Sequence, residues 1–223
     1  MNADANFRLS LDRIYQQPSV DAMRDALHTV SAYHDREPKH RARIGRELGV
    51  ILLQAPTGSG KTLMLGRTLE VVRGQLSAKT VWFWFAPYAG LVTQTRDALA
   101  AQCGGLRLRD IYADRETGTA RDGDVFVQTW ASVAVVKKES RKVRTDKEAA
   151  LSVDSMIAEL RERGFRIGVV IDEAHLNFGS SAAATAGFFL NVLSPDYTVL
   201  ATATPNDAKL ERFEKDAGLK IAS

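Results

Sequence analysis

Short apolar runs alternate along the chain with longer segments in which apolar residues recur at helical spacing. The apolar runs are typical of strands covered by helices on both faces, and they occupy residues 49–55, 80–86, 124–129, 166–172 and 197–203, with a weaker alternating run at 106–113. Helical patterns separate them at residues 61–76, 89–102, 181–193 and 207–217. Strand alternating with helix predicts an α/β fold with a mostly parallel sheet flanked by helices, in three layers.

Two segments interrupt this alternation. Residues 1–48 have a polar, helical pattern that includes the strongly basic stretch "HDREPKHRARIGREL". Residues 137–164 form an insertion in which the charged loop "KKESRKVRTDK" precedes an amphipathic helix at 148–163. No Gly/Pro-rich linker divides the chain. We therefore predict one α/β domain, residues 49–223, with a helical N-terminal extension, residues 1–48, and the charged insertion.

Cysteine usage and hydropathy indicate the compartment. The single cysteine, Cys103, excludes an intramolecular disulfide, which favours a reducing cytosol. The chain begins with the polar stretch "MNADANFRLSLDRIYQQ", unlike a signal peptide, and no apolar run is long enough for a membrane span. We therefore predict a cytoplasmic protein with no membrane partner. The net charge of +3 allows a polyanionic partner without requiring one.

The stretch "LLQAPTGSGKTLML", residues 52–65, places the turn "APTGSGKT" between a strand and a helix, which is the context of a phosphate-binding loop. Glycines let successive N–H groups point at one anion, beside the positive end of the following helix. Lys61 would reach the β- and γ-phosphates, and the Thr62 hydroxyl would face Mg²⁺. We predict ATP and Mg²⁺ as cofactors, although Ala55 stands where the strict pattern has glycine. The predicted binding residues are Ala55, Pro56, Thr57, Gly58, Ser59, Gly60, Lys61 and Thr62.

Two acids end the apolar run at residues 166–172, in "VVIDEAH". A phosphate loop requires a second metal-facing carboxylate, and Asp172 can hold Mg²⁺ through water while Glu173 orients or deprotonates an attacking water. We therefore predict Thr62 and Asp172 as metal-binding residues, and Glu173 and Lys61 as catalytic residues. On chemistry alone, a lone histidine beside a helix start, such as His175, is more typical of a structural role.

These stretches resemble the first motor lobe of a superfamily 2 helicase of the DEAH type, a RecA-like P-loop NTPase lobe, and most nearly the type III restriction Res-subunit-like helicases. "APTGSGKT" (55–62), "DEAH" (172–175) and "TATP" (202–205) resemble motifs I, II and III. "APYAGLVTQT" (86–95) and "TWASV" (129–133) are similar to motifs Ia and Ib. The order and spacing of these motifs agree across residues 49–205.

The resemblance implies further roles. His175 would join the catalytic residues, coupled to Thr202 and Thr204 in motif III. The family reads adenine with a glutamine ahead of motif I, for which Gln16 and Gln17 are candidates, although they lie farther upstream than usual. Nucleic acid would be contacted through motifs Ia and Ib and through the basic loop that follows them, at Tyr88, Gly90, Thr129, Ser132, Lys137, Lys138, Arg141, Lys142 and Arg144.

The function that this resemblance implies is an ATP-hydrolysing lobe of a DNA helicase or translocase of restriction or phage-defence type, with DNA favoured over RNA as partner. The family's second lobe carries arginines that reach the γ-phosphate, and no such motif follows residue 205. We therefore expect a second RecA-like lobe in a longer chain or a partner subunit, and weak hydrolysis by this chain alone. Two alternatives stay open: a stand-alone P-loop ATPase that acts on protein, and a catalytically silent nucleotide-binding module.

Overall fold

The computed structural model describes residues 14–111, 114, 116–130, 153–177, 186–204 and 208–221. Its strands are β1 (Val50–Gln54), β2 (Thr80–Ala86), β3 (Arg107–Arg109), β4 (Asp124–Thr129), β5 (Arg166–Ile171) and β6 (Tyr197–Thr202). They form one sheet in the order β1–β6–β5–β2–β4–β3, and every neighbouring pair is parallel. The predicted α/β fold with a parallel sheet is confirmed.

Helices cover both faces of this sheet. They are α1 (Gln16–Arg36), α2 (Arg41–Glu47), α3 (Lys61–Val72), α4 (Ala89–Gln102), α5 (Val153–Glu162), α6 (Ala174–Asn177) and α7 (Ala208–Asp216). Short 3₁₀ turns lie at Pro38–His40 and Thr117–Thr119, and a π-helical turn lies at Phe189–Leu193. In the part of the chain that the structure describes, every helix is too short or too polar to span a membrane.

Strand β2 shows why the strands are apolar on both sides. All seven of its residues are buried. Trp82 and Trp84 point into a core shared with α1, α3 and α4. Phe83 and Phe85 point the other way, into a core shared with α5, the π-helical turn and α7. Because successive side chains leave opposite faces of a strand, a strand between two helical layers must be apolar throughout.

Several predicted boundaries differ from the structure. The strand predicted at 106–113 is limited to Arg107–Arg109, an edge strand paired with β4 alone. Its Arg109 is buried and bonds the Asp124 carboxylate at 3.1 Å, so this strand ends in an ion pair rather than in an apolar face. The helix predicted at 61–76 ends at Val72. The helices predicted at 148–163 and 181–193 lie partly outside the described residues.

Helix α1 packs into the same core as the sheet. Its apolar side Val20, Met23, Leu27 and Val30 is buried against α3 and the sheet. Near its end, the Arg166 guanidinium donates to Ser31 Oγ at 3.0 Å and to the Asp35 carboxylate at 2.6 Å, where Asp35 belongs to the last turn of α1. The description of residues 1–48 as an extension stays a prediction, but α1 contributes four buried apolar residues to the core on one face of the sheet.

A buried carboxylate fixes the amino end of the sheet. Asp196, just before β6, is fully buried, and its oxygens accept from Arg41 at 3.2 Å, from Arg161 at 3.0 Å and from the Ile167 N–H at 2.8 Å. A buried charge is tolerated when it is paired and hydrogen-bonded in this way. Arg41 and Arg161 reach Asp196 from α2 and α5, so one acid joins elements that are distant in sequence.

His34 provides a test of this end of the sheet. Its Nε2–H donates to the Asp196 carbonyl oxygen at 3.0 Å, and burial lowers the pKa of the imidazole below its ordinary value. The unfolded chain therefore binds a proton at higher pH than the native chain does. The stability that this difference contributes is complete above the unfolded pKa of about 6.5 and is lost as the pH falls toward the lower native pKa.

We expect the contribution of His34 to the urea midpoint to decrease as the pH is lowered from about 7.5 to about 5.5, across the ordinary histidine pKa. In a His34→Gln variant this pH-dependent decrease should be absent, because glutamine gains no proton. The exposed His40, replaced in the same way, serves as the matched control. An identical pH response in the His34→Gln and His40→Gln variants would contradict the assignment.

Candidate functional site

The loop after β1 and the acids after β5 meet at the carboxyl edge of the sheet. Strand β6 lies between β1 and β5, and all three run in the same direction. The Ala55 N–H donates to the Thr202 carbonyl at 3.1 Å, which fixes the start of the loop to the end of β6. Ligands of open α/β sheets bind at this edge. The structure therefore brings the sequence-predicted loop 55–62 and the pair Asp172 and Glu173 together.

The loop owes its shape to two glycines. Gly58 has φ +75° and Gly60 has φ +86°, both in the left-handed region that other residues rarely adopt. A side chain at Gly58 would meet nothing within 4 Å, so the backbone angle, not space, requires glycine there. Gly60 caps α3, whose first residue is Lys61. The loop thus leads directly into the positive end of a helix, the arrangement that binds phosphate.

Lys61 lies at the centre of the site and is almost completely buried. Its Nζ donates to the carbonyl oxygens of Ala55 at 3.2 Å and Pro56 at 3.4 Å. The same Nζ lies 3.2 Å from the Glu173 carboxylate. The ammonium group therefore joins the start of the phosphate loop to the acid that follows β5, and it has a mobile stem that can turn toward a phosphate.

Asp172 is held by its neighbours on both oxygens. Thr62 Oγ1 donates to one at 3.3 Å, and the Glu173 N–H donates to the other at 3.0 Å. Burial raises the pKa of Asp172 to about 6, the negative charge of Glu173 adds to this, and the Glu173 N–H, Lys61 and Thr62 oppose it. A perturbed carboxylate in a cleft is typical of functional sites.

Glu173 has an unusual backbone. Its φ is +47°, a left-handed conformation for a residue that is not glycine. Such conformations cost about 1–3 kcal/mol and persist where the surrounding structure imposes them, often at active sites. Here the constraint is the sharp turn between β5 and α6, which points the carboxylate back at Lys61. The turn thus fixes the position of the Glu173 carboxylate and imposes an unfavourable backbone conformation on this residue.

The residues present fit a Mg²⁺-nucleotide. The Ser59 hydroxyl is buried and has no hydrogen-bond partner within the described ranges, so it is a polar atom for which a ligand can supply a partner. The described part of the chain holds no cluster of three or more His, Cys, Asp or Glu that could form a protein cage for a metal. A hydroxyl and one carboxylate are what Mg²⁺ uses when phosphate oxygens and water complete its coordination.

A cavity of about 500 Å³ opens beside these groups. One wall is the phosphate loop with Asp172 and Glu173, and the opposite wall is α4. Sequence reasoning missed most of that wall, which includes Leu91, Gln94, Thr95 and Ala98, and it also missed Leu176 of α6. Gln94 and Thr95 lie inside the stretch similar to motif Ia. A helical projection of that stretch could therefore have identified them as candidates for the wall of the site.

Two residues ahead of the loop contact it directly. Gln16 is buried, and its side-chain amide donates to the Ser59 carbonyl at 2.7 Å. The Tyr15 hydroxyl donates to the same oxygen at 3.0 Å. Gln17, in contrast, is exposed and bonds Asp21. Of the two glutamines considered from sequence, the structure therefore brings Gln16 to the phosphate loop and leaves Gln17 on the surface.

Thr202 and Thr204 lie at the end of β6. The Thr202 side chain is buried, and its hydroxyl contacts both the N–H and the carbonyl oxygen of Thr204 at 3.2 Å. Thr204 itself is exposed. The side chain of His175 lies outside the described residues, so its predicted coupling to Thr202 and Thr204 stays a prediction.

Three of the candidate nucleic-acid contacts lie at neighbouring strand ends. Ala86 of β2 lies opposite Thr129 of β4, so the segments that follow these strands start side by side. Tyr88 is 57% exposed, and Gly90 lies in the first turn of α4. The structure brings Tyr88, Gly90 and Thr129 to one edge. Ser132 and the basic loop with Lys137, Lys138, Arg141, Lys142 and Arg144 lie outside the described residues.

Comparisons with known proteins agree with this geometry. The family described as "Type III restriction enzyme, res subunit" matches residues 11–207. The fold is similar to a Sulfolobus solfataricus SWI2/SNF2 ATPase core solved in complex with dsDNA, with TM-score 0.54, 18% identity, and coverage of 95% of this chain and 36% of that one. It is also similar to the Pyrococcus furiosus Hef helicase domain, with TM-score 0.52, 17% identity, and coverage of 93% and 36%. The chain thus spans about a third of these structures. No curated protein matches the sequence.

The raised pKa of Asp172 has a consequence for stability. Between pH 3.8 and about 6 the native chain binds a proton that the unfolded chain has released, so this group makes the chain less stable as the pH rises through that window.

We expect Asp172→Asn to stabilise the chain at about pH 7.5 by up to about 3 kcal/mol, and by less at about pH 5. Urea unfolding at both pH values measures the difference. The exposed Asp25, changed to asparagine, is the control. A variant no more stable than the wild-type chain at neutral pH would contradict the raised pKa.

Proposed function

The chain belongs to the family of the type III restriction enzyme res subunit, and from that membership and its helicase-type ATPase fold we propose that it is the ATP-binding lobe of a DNA helicase or translocase. The observation that carries the proposal is the meeting of Lys61, Thr62, Asp172 and Glu173 at the carboxyl edge of the sheet. We propose a restriction or phage-defence setting, the first of which matches the family description, and a cytoplasmic location.

ATP with Mg²⁺ is the proposed cofactor. The loop from Ala55 to Thr62 would hold the phosphates through its backbone N–H groups and through Lys61, and Thr62 with Asp172 would face the metal. The bound metal would neutralise charge on the phosphate oxygens during transfer. Gln16, which already contacts Ser59, is the proposed adenine-reading residue. Its place beside the loop supports this role over that of Gln17.

Glu173 is the proposed catalytic acid-base residue. Its carboxylate lies beside Lys61 and faces the cavity, so it can orient a water molecule and accept a proton from it. When Lys61 turns toward phosphate, its ion pair with Glu173 weakens and the carboxylate becomes available as a base. His175, Thr202 and Thr204 are the proposed link between this centre and the nucleic-acid edge.

Nucleic acid is the proposed partner, with DNA favoured over RNA. The family is a restriction family, and one structure with a similar fold was solved with dsDNA. The contacts would come from Tyr88, Gly90 and Thr129, joined by Ser132 and the basic loop at 137–147. Contacts of this kind bind the sugar-phosphate backbone and carry no base specificity. A second RecA-like lobe, in a longer chain or a partner subunit, is the proposed source of further catalytic residues.

Lys61 tests the nucleotide site. We expect Lys61→Ala to weaken binding of Mg²⁺-ATP about 10- to 150-fold, because a charge-assisted phosphate contact contributes about 1.5–3 kcal/mol. Isothermal titration calorimetry measures the affinity. Lys79→Ala, at an exposed lysine outside the site, is the matched control. Equal affinities for the Lys61→Ala and Lys79→Ala variants would exclude this loop as the phosphate site.

Glu173 tests the hydrolytic role. We expect Glu173→Gln to lower ATP hydrolysis in the presence of duplex DNA about 10²- to 10⁴-fold, the usual contribution of a general base. Nucleotide binding should be kept or tightened, because Lys61 loses its carboxylate partner. A single-turnover assay with the chain in excess makes weak hydrolysis measurable. Glu162→Gln, at an exposed position, removes the same charge elsewhere. Hydrolysis by the Glu173→Gln variant at the wild-type rate would refute the assignment.

A further inference from the structure

Two short segments hold an excess of positive charge, the basic loop at 137–147 and, outside the proposed site, residues 36–46. Residues 36–46 contain five Lys or Arg and one Glu, a net charge of +4, whereas the whole chain carries only +3. The remainder of the chain is therefore slightly acidic. A segment that holds more positive charge than the whole protein is an electrostatic feature in its own right.

Packing turns this charge outward. The segment comprises the end of α1, the 3₁₀ turn Pro38–His40 and most of α2. Ile44 is buried, and a side chain at Gly45 would lie 2.2 Å from the Pro195 carbonyl oxygen, so this side of α2 is held tightly against the body. Arg41 turns inward to Ser194 and Asp196. The exposed cationic side chains that remain form a surface that we call the basic turn: Arg36, Lys39, His40, Arg43 and Arg46.

Few acids neutralise the basic turn. Glu37 pairs with Arg43 at 2.8 Å, and Glu47 lies 3.9 Å from Lys220. Within the described part of the chain, no acid lies within ion-pair distance of Arg36, Lys39 or Arg46. Two of these three side chains carry a guanidinium group. Exposed side chains of like charge on one short segment repel one another, so an anionic partner explains the arrangement more simply than stability does.

The basic turn is remote from the proposed nucleic-acid edge. Helix α2 ends just before β1 and packs against Pro195, which precedes β6, so the basic turn lies at the amino end of the sheet. The phosphate loop and Tyr88 lie at the carboxyl end. A strand of five residues such as β1 spans about 17 Å. One phosphate group cannot reach both ends, but a duplex several base pairs long can, because each base pair advances about 3.4 Å.

We propose that the basic turn is a second contact for the phosphate backbone of nucleic acid. Arginine predominates in it, and the planar guanidinium group bonds phosphate oxygens in pairs. The only exposed large hydrophobic residue between residues 36 and 48 is Leu48. A membrane-binding helix needs an apolar face, and a stable protein interface needs an apolar centre. A surface of charge without apolar anchors is suited to a phosphate backbone, which is bound largely through charge.

The inference rests on the proposed function in one respect, that nucleic acid is the anionic partner. It adds a contact at the opposite end of the lobe, so that a bound duplex would pass along the lobe rather than touch one edge. Such a contact is independent of base sequence and increases affinity and resistance to dissociation. It is also strongly salt-dependent, because each neutralised phosphate releases counterions.

A pair of charge-matched variants tests the inference. The first is the triple variant Arg36→Gln, Lys39→Gln, Arg46→Gln in the basic turn. The second is the triple variant Arg163→Gln, Arg212→Gln, Lys215→Gln, at exposed cations elsewhere. Both lower the net charge by the same amount. Fluorescence anisotropy measures binding of a labelled duplex a few helical turns long across a salt series, and polyglutamate serves as a non-phosphate polyanion. Thermal unfolding and Mg²⁺-ATP binding verify that each variant is folded.

We expect the basic-turn variant to lose at least about tenfold in duplex affinity at low salt, and its log–log salt slope to become shallower by about 2–3, near 0.9 per phosphate contact. The control variant should bind like the wild-type chain. Equal losses of duplex affinity in both variants would show a general charge effect and overturn the inference. Unchanged duplex affinity in both variants would also overturn it, as would a loss of affinity for polyglutamate alone. A wild-type chain that binds no duplex at all would overturn both this inference and the proposed nucleic-acid partner, while the Lys61 titration reports on the nucleotide site separately.

Discussion

The parallel pairing of β1, β6 and β5 is the constraint on which the site depends. Parallel strands end at the same edge, so segments more than a hundred residues apart in sequence become neighbours there. The bond from the Ala55 N–H to the Thr202 carbonyl fixes the phosphate loop to the end of β6. Residues 172 and 173 follow on the other side of the same strand. A one-residue slip of any pair would separate these groups, because it would turn every side chain to the opposite face.

Electrostatics explains why this edge suits a metal-nucleotide. Two adjacent carboxylates and a single ammonium group leave the site with an excess of negative charge, which adds to burial in raising the pKa of Asp172. In the proposed function, phosphates would add more negative charge. Lys61 and the end of α3 cannot balance all of it, so a divalent cation held by Thr62 and Asp172 would make the arrangement favourable. The cost of burying the Asp172 carboxylate is consistent with the trade between stability and function seen at many active sites.

The sequence predicted those features that depend on local pattern. The central strands are continuous apolar runs because both of their faces are buried. The phosphate loop can be recognised in the sequence because its backbone requires Gly58 and Gly60. Features that arise from packing could not be predicted. The contact from Gln16 to Ser59 joins positions 43 residues apart and needs the placement of α1 on α3. Strand β3 ends at Arg109, which bonds the buried Asp124, a pairing that alternation alone does not reveal. The residues of α4 that line the cavity could not be predicted either, because they depend on the orientation of α4 relative to the loop.

Helix α1 connects the two ends of the lobe. Its 21 residues extend over about 31 Å. At its start Gln16 bonds the phosphate loop, and near its end Ser31 and His34 bond Arg166 and the Asp196 carbonyl at the amino end of the sheet. The basic turn follows α1 directly, so its distance from the phosphate loop is set by a helix anchored at both ends. A close-packed body of this kind does not stretch. If both ends contact one duplex, as we propose, a nucleotide-driven displacement of the lobe would therefore carry the two phosphate contacts together, and the duplex would move by the same distance at each.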